Sequence, residues 1–403
     1  MAHTNGAHTA AAASSLPDVF IVGAARTAVA TFQGGLKSVQ APKLGIAAVA
    51  GALKQAGVKP DQVEDVYMGN VLSAGMGQAP ARQVVLGVGC PPTTEATTIN
   101  KVCASGMKAV TLATQNLQTG QRGLMVAGGM ESMSNVPFYF PRNAAYGNQT
   151  AKDGIVNDGL WDVYNQFHMG NCAENTAKKH NITREEQDAF AIESYRRATE
   201  AWKSGAFQAE IAPVTISDPR KGDTVFAEDE QYKMLRADKV KTLKPVFQKD
   251  GGTITAANAS ALNDGASAIV LATQAKVNEL GLKPLARIVA FADAAQAPID
   301  FPTAPADAVK QAIARSGLSL DQISVFEFNE AFSCVGLALT KILGLDPKKV
   351  NPLGGAVALG HPIGSSGSRI VVTLTHQLKP GQFGCAAICN GGGGSTALII
   401  ERL

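Results

Sequence analysis

At 403 residues, 45% hydrophobic and 17% charged, the chain has the size for two or three compact units and the composition of a globular protein with a substantial core. A formal net charge of +3 argues against the concentrated basic face of a nucleic-acid binder. No apolar run approaches the roughly 20 residues that cross a bilayer.

In chain order, Met1 to about Leu16 read as a disordered tail of Ala, Thr, Ser and His, and the first basic residue is Arg26. Neither a secretory signal nor an arginine-rich mitochondrial presequence is visible. The chain ends Glu401-Arg402-Leu403, unlike a peroxisomal address. These features give a cytoplasmic expectation. The six cysteines form no C-x-x-C pair, so the expectation is a reduced protein without zinc or thioredoxin-type chemistry.

An internal repeat organises the rest. Ala52 to Val63 lines up with Ala312 to Ile323 at an offset of 260. Each reads as an amphipathic helix stopped by Gly, a loop with Asp-Gln, then a hydrophobic strand. At an offset of 261, Ser105-Gly106-Met107-Lys108 matches Ser366-Gly367-Ser368-Arg369, and Gly123 matches Gly384. The repeat predicts two similar α/β halves, 17–285 and 286–403, in layered sheets with helices between and outside them. Residues 136–250 have no counterpart and form an insertion within the first half. Its end, Arg220 to Asp250, carries eight basic and six acidic residues. A loop-rich insertion suits a substrate-binding cap.

Cys103 sits among small residues just before a helix, where the dipole and free N–H groups favour a thiolate. His361 lies in the equivalent elbow of the second half, between Gly360 and Pro362. Cys389 lies on the strand equivalent to Leu124–Gly128, followed by Gly391 to Gly394, where an anionic oxygen can meet N–H groups. Two thiols, one imidazole and free backbone donors are the parts of an acyl-transfer site. No G-x-G-x-x-G nucleotide fingerprint follows a strand.

The blocks Asn100 to Gly106, Gly128 to Ser134, Asn329-Glu330-Ala331-Phe332, Gly354 to Gly364 and Cys389 to Gly393 occur in the order of the thiolase family, and the chain resembles it over residues 18–403. The resemblance implies the thiolase fold, two similar halves in a five-layer αβαβα arrangement with an inserted loop domain. It implies an acetyl-CoA C-acetyltransferase that condenses two acetyl-CoA to acetoacetyl-CoA and coenzyme A, feeding the mevalonate pathway. A degradative 3-ketoacyl-CoA thiolase of broader chain length, or a non-catalytic acyl-CoA-binding scaffold, are the alternatives. By the same resemblance Cys103 is the acylated nucleophile, His361 accepts its proton and Cys389 deprotonates the second acetyl-CoA. Asn329 holds a water for the enolate oxygen, and N–H groups of Cys103 and Gly391 form a second oxyanion hole.

Substrate and coenzyme A contacts are implied at His168, Met169, Tyr195, Met234, Leu235, Arg236, Lys239 and Ser260, with Met169 excluding long chains. The sequence departs from commoner family members at Met234 to Arg236. No cofactor is implied for the chemistry itself. A potassium ion is implied at Tyr195 and the carbonyls of Ala256, Ala257, Ala259 and Val357. The family assembles as dimers, often paired into tetramers, which gives a homotetramer expectation.

Overall fold

In the computed structural model, residues 16–220 and 222–403 are described. The tail read over Met1–Leu16 lies, but for Leu16, outside them.

Nine strands follow one another across a sheet, in the order Ile323–Phe328, Phe383–Asn390, Gly394–Arg402, Ala286–Ala295, Val19–Arg26, Asn263–Thr273, Leu124–Ser132, Asp65–Gly69 and Glu95–Ile99. A tenth, Ala30–Thr31, pairs beside Asn263–Thr273. The first four belong to the second half and the rest to the first. They join where Val19–Ile21 runs antiparallel to Ala286–Ile288. The Asn263–Thr273 strand follows the insertion and returns to the first half, between Val19–Arg26 and Leu124–Ser132.

Period-2 alternation within these strands builds the layers. In Leu124–Ser132, Met125 and Ala127 face the central core while Leu124 and Val126 face an outer one. In Phe383–Asn390, Ala386 and Ile388 face the central core while Cys385, Ala387 and Cys389 face the other outer one. Helix Ala41–Ala56 packs outside the first half, and Ala304–Ser316 and Ser333–Leu343 pack outside the second. Helices Ser105–Gln118 and Ser366–Gln377 fill the centre. Every residue from Ser366 to Thr375 is buried, as a helix with a layer on each side must be.

The repeat is visible in detail. Gly57 and Gly317 end equivalent helices at φ 68° and 70°, a left-handed conformation that costs glycine little. The loop that follows closes on Gln62 in one half and Gln322 in the other. Their side chains accept from the N–H of Lys59 (2.8 Å) and Ser319 (2.9 Å). The central helices cross at Gly106 and Gly367. A Cβ on Gly106 would come within 2.6 Å of Ser368 Oγ, and one on Gly367 within 2.6 Å of the Met107 nitrogen.

The insertion carries helices Met169–Lys179 and Arg184–Lys203 and the hairpin Val214–Asp218/Gly222–Phe226. It is fastened to the first half by a buried charge cluster. Arg26, at the end of its strand, pairs with Glu210 and grips Asp229 through two bonds of 2.8 and 3.0 Å. All three side chains are 1% exposed or less. Charges this deep survive only when paired, so the insertion is part of the folded body. Among the described residues no helix is long and apolar enough to cross a membrane.

Candidate active site

The Cys103 elbow is a strained turn. Val102, a β-branched residue, has φ 46°, a conformation that costs energy and persists only where the surroundings impose it. Here three bonds impose it. The Val102 N–H donates to Asn100 Oδ1 (2.9 Å), the Lys101 N–H donates to Ser105 Oγ (2.8 Å), and the Ser105 hydroxyl donates to the Val102 carbonyl (2.5 Å). Cys103 emerges just before helix Ser105–Gln118. Burial pushes its thiol up to about 12, opposed by hydrogen bonds from the N–H groups of Gly391 and of Cys103 itself. The resting side chain is therefore a thiol.

His361 follows the short helix Ala356–Leu359 and Gly360, whose φ of 100° places it against Asn263. The His361 N–H donates to Asn263 Oδ1 at 2.8 Å. Its ring Nδ1 lies 2.7 Å from Ser366 Oγ, which also lies 3.0 Å from the Pro362 carbonyl oxygen. We assign the hydroxyl proton to that carbonyl, which makes Nδ1 the donor and leaves Nε2 as an unprotonated lone pair. Nε2 is buried and has no hydrogen-bond partner among the described residues. Burial, then Arg369, holds this imidazole down to about 3. The group is a neutral base.

Cys389 is fully buried on its strand, and burial, then the nearby Cys103, pushes it well above its ordinary value. Asn329 extends its strand by donating its N–H to the Ala387 carbonyl (3.0 Å). Its side-chain amide is buried, with neither atom partnered among the described residues. Such an amide is costly unless a water or substrate completes it. Gly391 begins the turn after Cys389, and a Cβ there would sit 3.2 Å from Met169 Sδ.

Cys103, His361 and Gly391 converge on one cavity of about 450 Å³. Its walls are mostly apolar and include Met133, Ile155, Met169, Phe247 and Phe332. His168 also lines it. Its Nδ1 accepts from the Gly170 N–H (3.1 Å), capping helix Met169–Lys179, and its ring stacks on Phe247 at 4.7 Å. Ser260, Ala256 and Ala259 reach the same cavity, and the Ser260 hydroxyl donates to the Ala331 carbonyl at 2.9 Å.

Other residues singled out in the sequence lie elsewhere. Cys389, Asn329, Ala257 and Val357 are buried and are not among the residues that line the cavity. Met234, Arg236 and Lys239 are exposed on the insertion, outside the cavity lining. Leu235 packs with Tyr195 and Val357 in a small separate cluster. The Tyr195 hydroxyl accepts from Gln231 Nε2 at 3.0 Å. All six cysteines are free and buried. Sequence reasoning missed the aromatic wall, the strain at Val102 and the role of Ser366. Of these, only Ser366 carried a signal, as the repeat partner of Ser105.

A protonated thiol, an unprotonated imidazole nitrogen and inward N–H groups on one apolar cavity define a thiol-dependent acyl-transfer site. The thiolase N-terminal domain model matches residues 19–275 and the thiolase C-terminal domain model residues 282–402. The chain belongs to the thiolase family. The mitochondrial acetyl-CoA acetyltransferase of Mus musculus is 58% identical over 96% of this chain and 92% of its own. That of Gibberella zeae is 57% identical over 100% and 95%. A thiolase of Ascaris suum, crystallised with coenzyme A, superimposes with a TM-score of 0.93 at 50% identity, covering 96% of this chain and 100% of that one.

The cytoplasmic expectation is overturned, because these full-length relatives, and one from Aspergillus fumigatus, are mitochondrial proteins. It rested on missing basic residues at the start of the chain, and a missing signal carries no information about location. The mevalonate role leaned on that address and loses its support.

Proposed function

We propose that this thiolase is an acetyl-CoA C-acetyltransferase, reversibly condensing two acetyl-CoA into acetoacetyl-CoA and coenzyme A. The observation that carries this reading is the convergence of Cys103, the free Nε2 of His361 and the Gly391 N–H on one small apolar cavity. Relatives with that activity in their names match over nearly the whole chain.

The steps follow from the protonation states. Cys103 attacks the acetyl carbonyl as its proton passes to Nε2 of His361. The N–H groups of Cys103 and Gly391 hold the tetrahedral oxyanion. Coenzyme A leaves as a thiolate and takes a proton from Cys389. That transfer leaves Cys389 as a thiolate, and its raised pKa makes it a strong base. It removes a methyl proton from the second acetyl-CoA, and Asn329 and the protonated His361 stabilise the enolate oxygen. The enolate carbon attacks the acetyl-Cys103 thioester. Cys103 departs, recovers its proton from His361, and all groups return to their starting states.

Met169, Phe247 and Phe332 close the acyl end and favour short chains. Exposed Arg236 and Lys239 suit the phosphates of coenzyme A, with Met234 and Leu235 beside them. A chain-length series of 3-ketoacyl-CoA thiolysis tests the reading. Activity confined to short chains is expected, and good turnover at C10 or longer would point to a broader degradative enzyme.

The potassium and tetramer readings are further proposals. The donors at Tyr195, Ala256, Ala257, Ala259 and Val357 are neutral oxygens, and the described residues hold no cluster of three His, Cys, Asp or Glu. That set suits a hard monovalent cation better than a transition metal. Potassium should raise the melting temperature relative to a bulky organic cation. Phe138, Phe140 and Tyr146 are all more than 60% exposed on one stretch of the insertion. Exposed aromatics of this kind suit burial against a second copy, and sedimentation should give an oligomer, dissociated by Phe140→Asp.

A further inference from the structure

Glu131 is the penultimate residue of the strand Leu124–Ser132 and is fully buried, outside the cavity lining. Its carboxylate takes four neutral donors. Oε1 accepts from Asn70 Nδ2 (2.8 Å) and the Leu72 N–H (3.2 Å). Oε2 accepts from the N–H groups of Val71 and Gly364 (3.0 Å each). A proton on either oxygen would confront an N–H and find no acceptor, so the geometry fits the carboxylate. Burial pushes the group up to about 7, and these four bonds oppose that rise.

The partners come from both halves. Asn70, Val71 and Leu72 leave a strand of the first. Gly364 closes the turn of the second that begins at His361. That turn fits tightly: a Cβ on Gly364 would lie 2.7 Å from Glu131 Oε2, and the Gly364 carbonyl sits where Cβ atoms on Gly69, Gly106 and Gly129 would be. Gly106 lies three residues beyond Cys103. The His361 turn is thus wedged against the foundations of the Cys103 elbow, and Glu131 supplies the bond that crosses the joint.

We propose that Glu131 is a positioning residue whose carboxylate holds the His361–Gly364 turn against the Cys103 elbow and so sets the alignment of base and nucleophile. A second consequence concerns charge. The titratable groups around Cys103 are His361 across the cavity, Cys389 and Glu131, and Glu131 adds to the upward shift of the thiol. Burial is the main cause of that shift, and the Glu131 charge adds to it, so the thiol stays protonated until His361 takes its proton.

The inference rests on the acyl-transfer reading, and its test separates the two. Glu131→Gln keeps the shape, removes the charge and turns one acceptor into a donor facing an N–H. It is expected to lower kcat about 100-fold in both directions, with KM for acetyl-CoA within about 2-fold, as for a misplaced catalytic pair. Iodoacetamide alkylation of Cys103, followed by peptide mass from pH 7 to 10, should rise at lower pH than in the wild type. Exposure of a buried thiol would also speed alkylation, so the shift is read at matched urea-unfolding midpoints of variant and wild type, where simple destabilisation does not give it. Asn70→Ala keeps the charge and removes one donor. It should lower kcat several-fold without shifting the alkylation profile, and it serves if Glu131→Gln does not fold. A kcat within 2-fold of wild type in the folded variant, or an unshifted profile in Glu131→Gln, overturns the proposal. Wild-type enzyme that makes no acetoacetyl-CoA overturns the acyl-transfer reading instead, while the alkylation result still stands.

Discussion

The two elbows, Asn100 to Ser105 and His361 to Ser366, sit at matched positions of the repeat and, in the proposed mechanism, do opposite chemical jobs. In both, a serine opens a central helix and turns its hydroxyl back on the preceding loop. Ser105 receives the Lys101 N–H and donates to the Val102 carbonyl, so it braces a strained backbone. Ser366 Oγ lies within hydrogen-bond reach of both the Pro362 carbonyl and Nδ1 of His361, so in our assignment it selects a tautomer. The same atom at the same repeat position serves geometry in one half and protonation in the other. The repeat supplies two helix starts at one cavity, with Cys103 two residues ahead of its serine and His361 five residues ahead of the other.

The strongest break in that division of labour is at the thiols. Cys103→Ser should give no acetyl-enzyme by mass after acetyl-CoA treatment. Cys389→Ala should still acetylate and should lose condensation by a factor on the order of 10⁴, the upper range for removing a general base. Normal condensation by Cys389→Ala would sink the two-thiol scheme. Next come the crossing glycines. Gly106→Ala and Gly367→Ala each force a Cβ to within 2.6 Å of the facing helix. Each should cost about 1–3 kcal/mol of stability, as overpacking does. Chemical denaturation that shows one position tolerant would mean the central crossing is less symmetric than the repeat.

The serines should then separate by assay. Ser366→Ala frees Nδ1 to hold or lose its proton, and kcat should fall about 10- to 100-fold with KM little changed and stability nearly kept. Ser105→Ala leaves the Val102 strain unbraced and should cost about 1–2 kcal/mol of stability. Equal effects of both on kcat would collapse the distinction between them.

Much of this was legible in the sequence for a physical reason. Helix stops and loop locks need particular residues, so Gly57 and Gly317, or Gln62 and Gln322, announce the repeat at a fixed offset. The small residues around Cys103 and the glycines after Cys389 are equally local. The cavity wall was hidden because Ile155, Phe247 and Phe332 are far apart in the chain and ordinary in composition. Strain at Val102 has no signature either, since valine is a poor choice for positive φ and only the folded surroundings require it. Glu131 stood inside a recognised block, yet its function lies in four donors, three of them backbone N–H groups from two distant turns.

The most direct contrast between the elbows is in their pH dependence, because their stability should fail in opposite pH directions. His361 is held down, from 6.5 to about 3. The unfolded chain takes up that proton before the folded one does, so His361 contributes stability that is full above about pH 6.5 and is lost as pH falls towards 3. Cys103 is pushed up, from 9.0 to about 12. The unfolded thiol ionises first, so its contribution is full below pH 9 and is lost as pH rises towards 12. His361→Asn should flatten the acid side of a urea-unfolding series and leave the alkaline side alone. Cys103→Ser should do the reverse, but only in part, because burial also raises Cys389, Cys334 and Cys385. Parallel pH profiles for His361→Asn and wild type below pH 6 would show that the imidazole is not held neutral by the fold, and the tautomer argument built on Ser366 would fall with it.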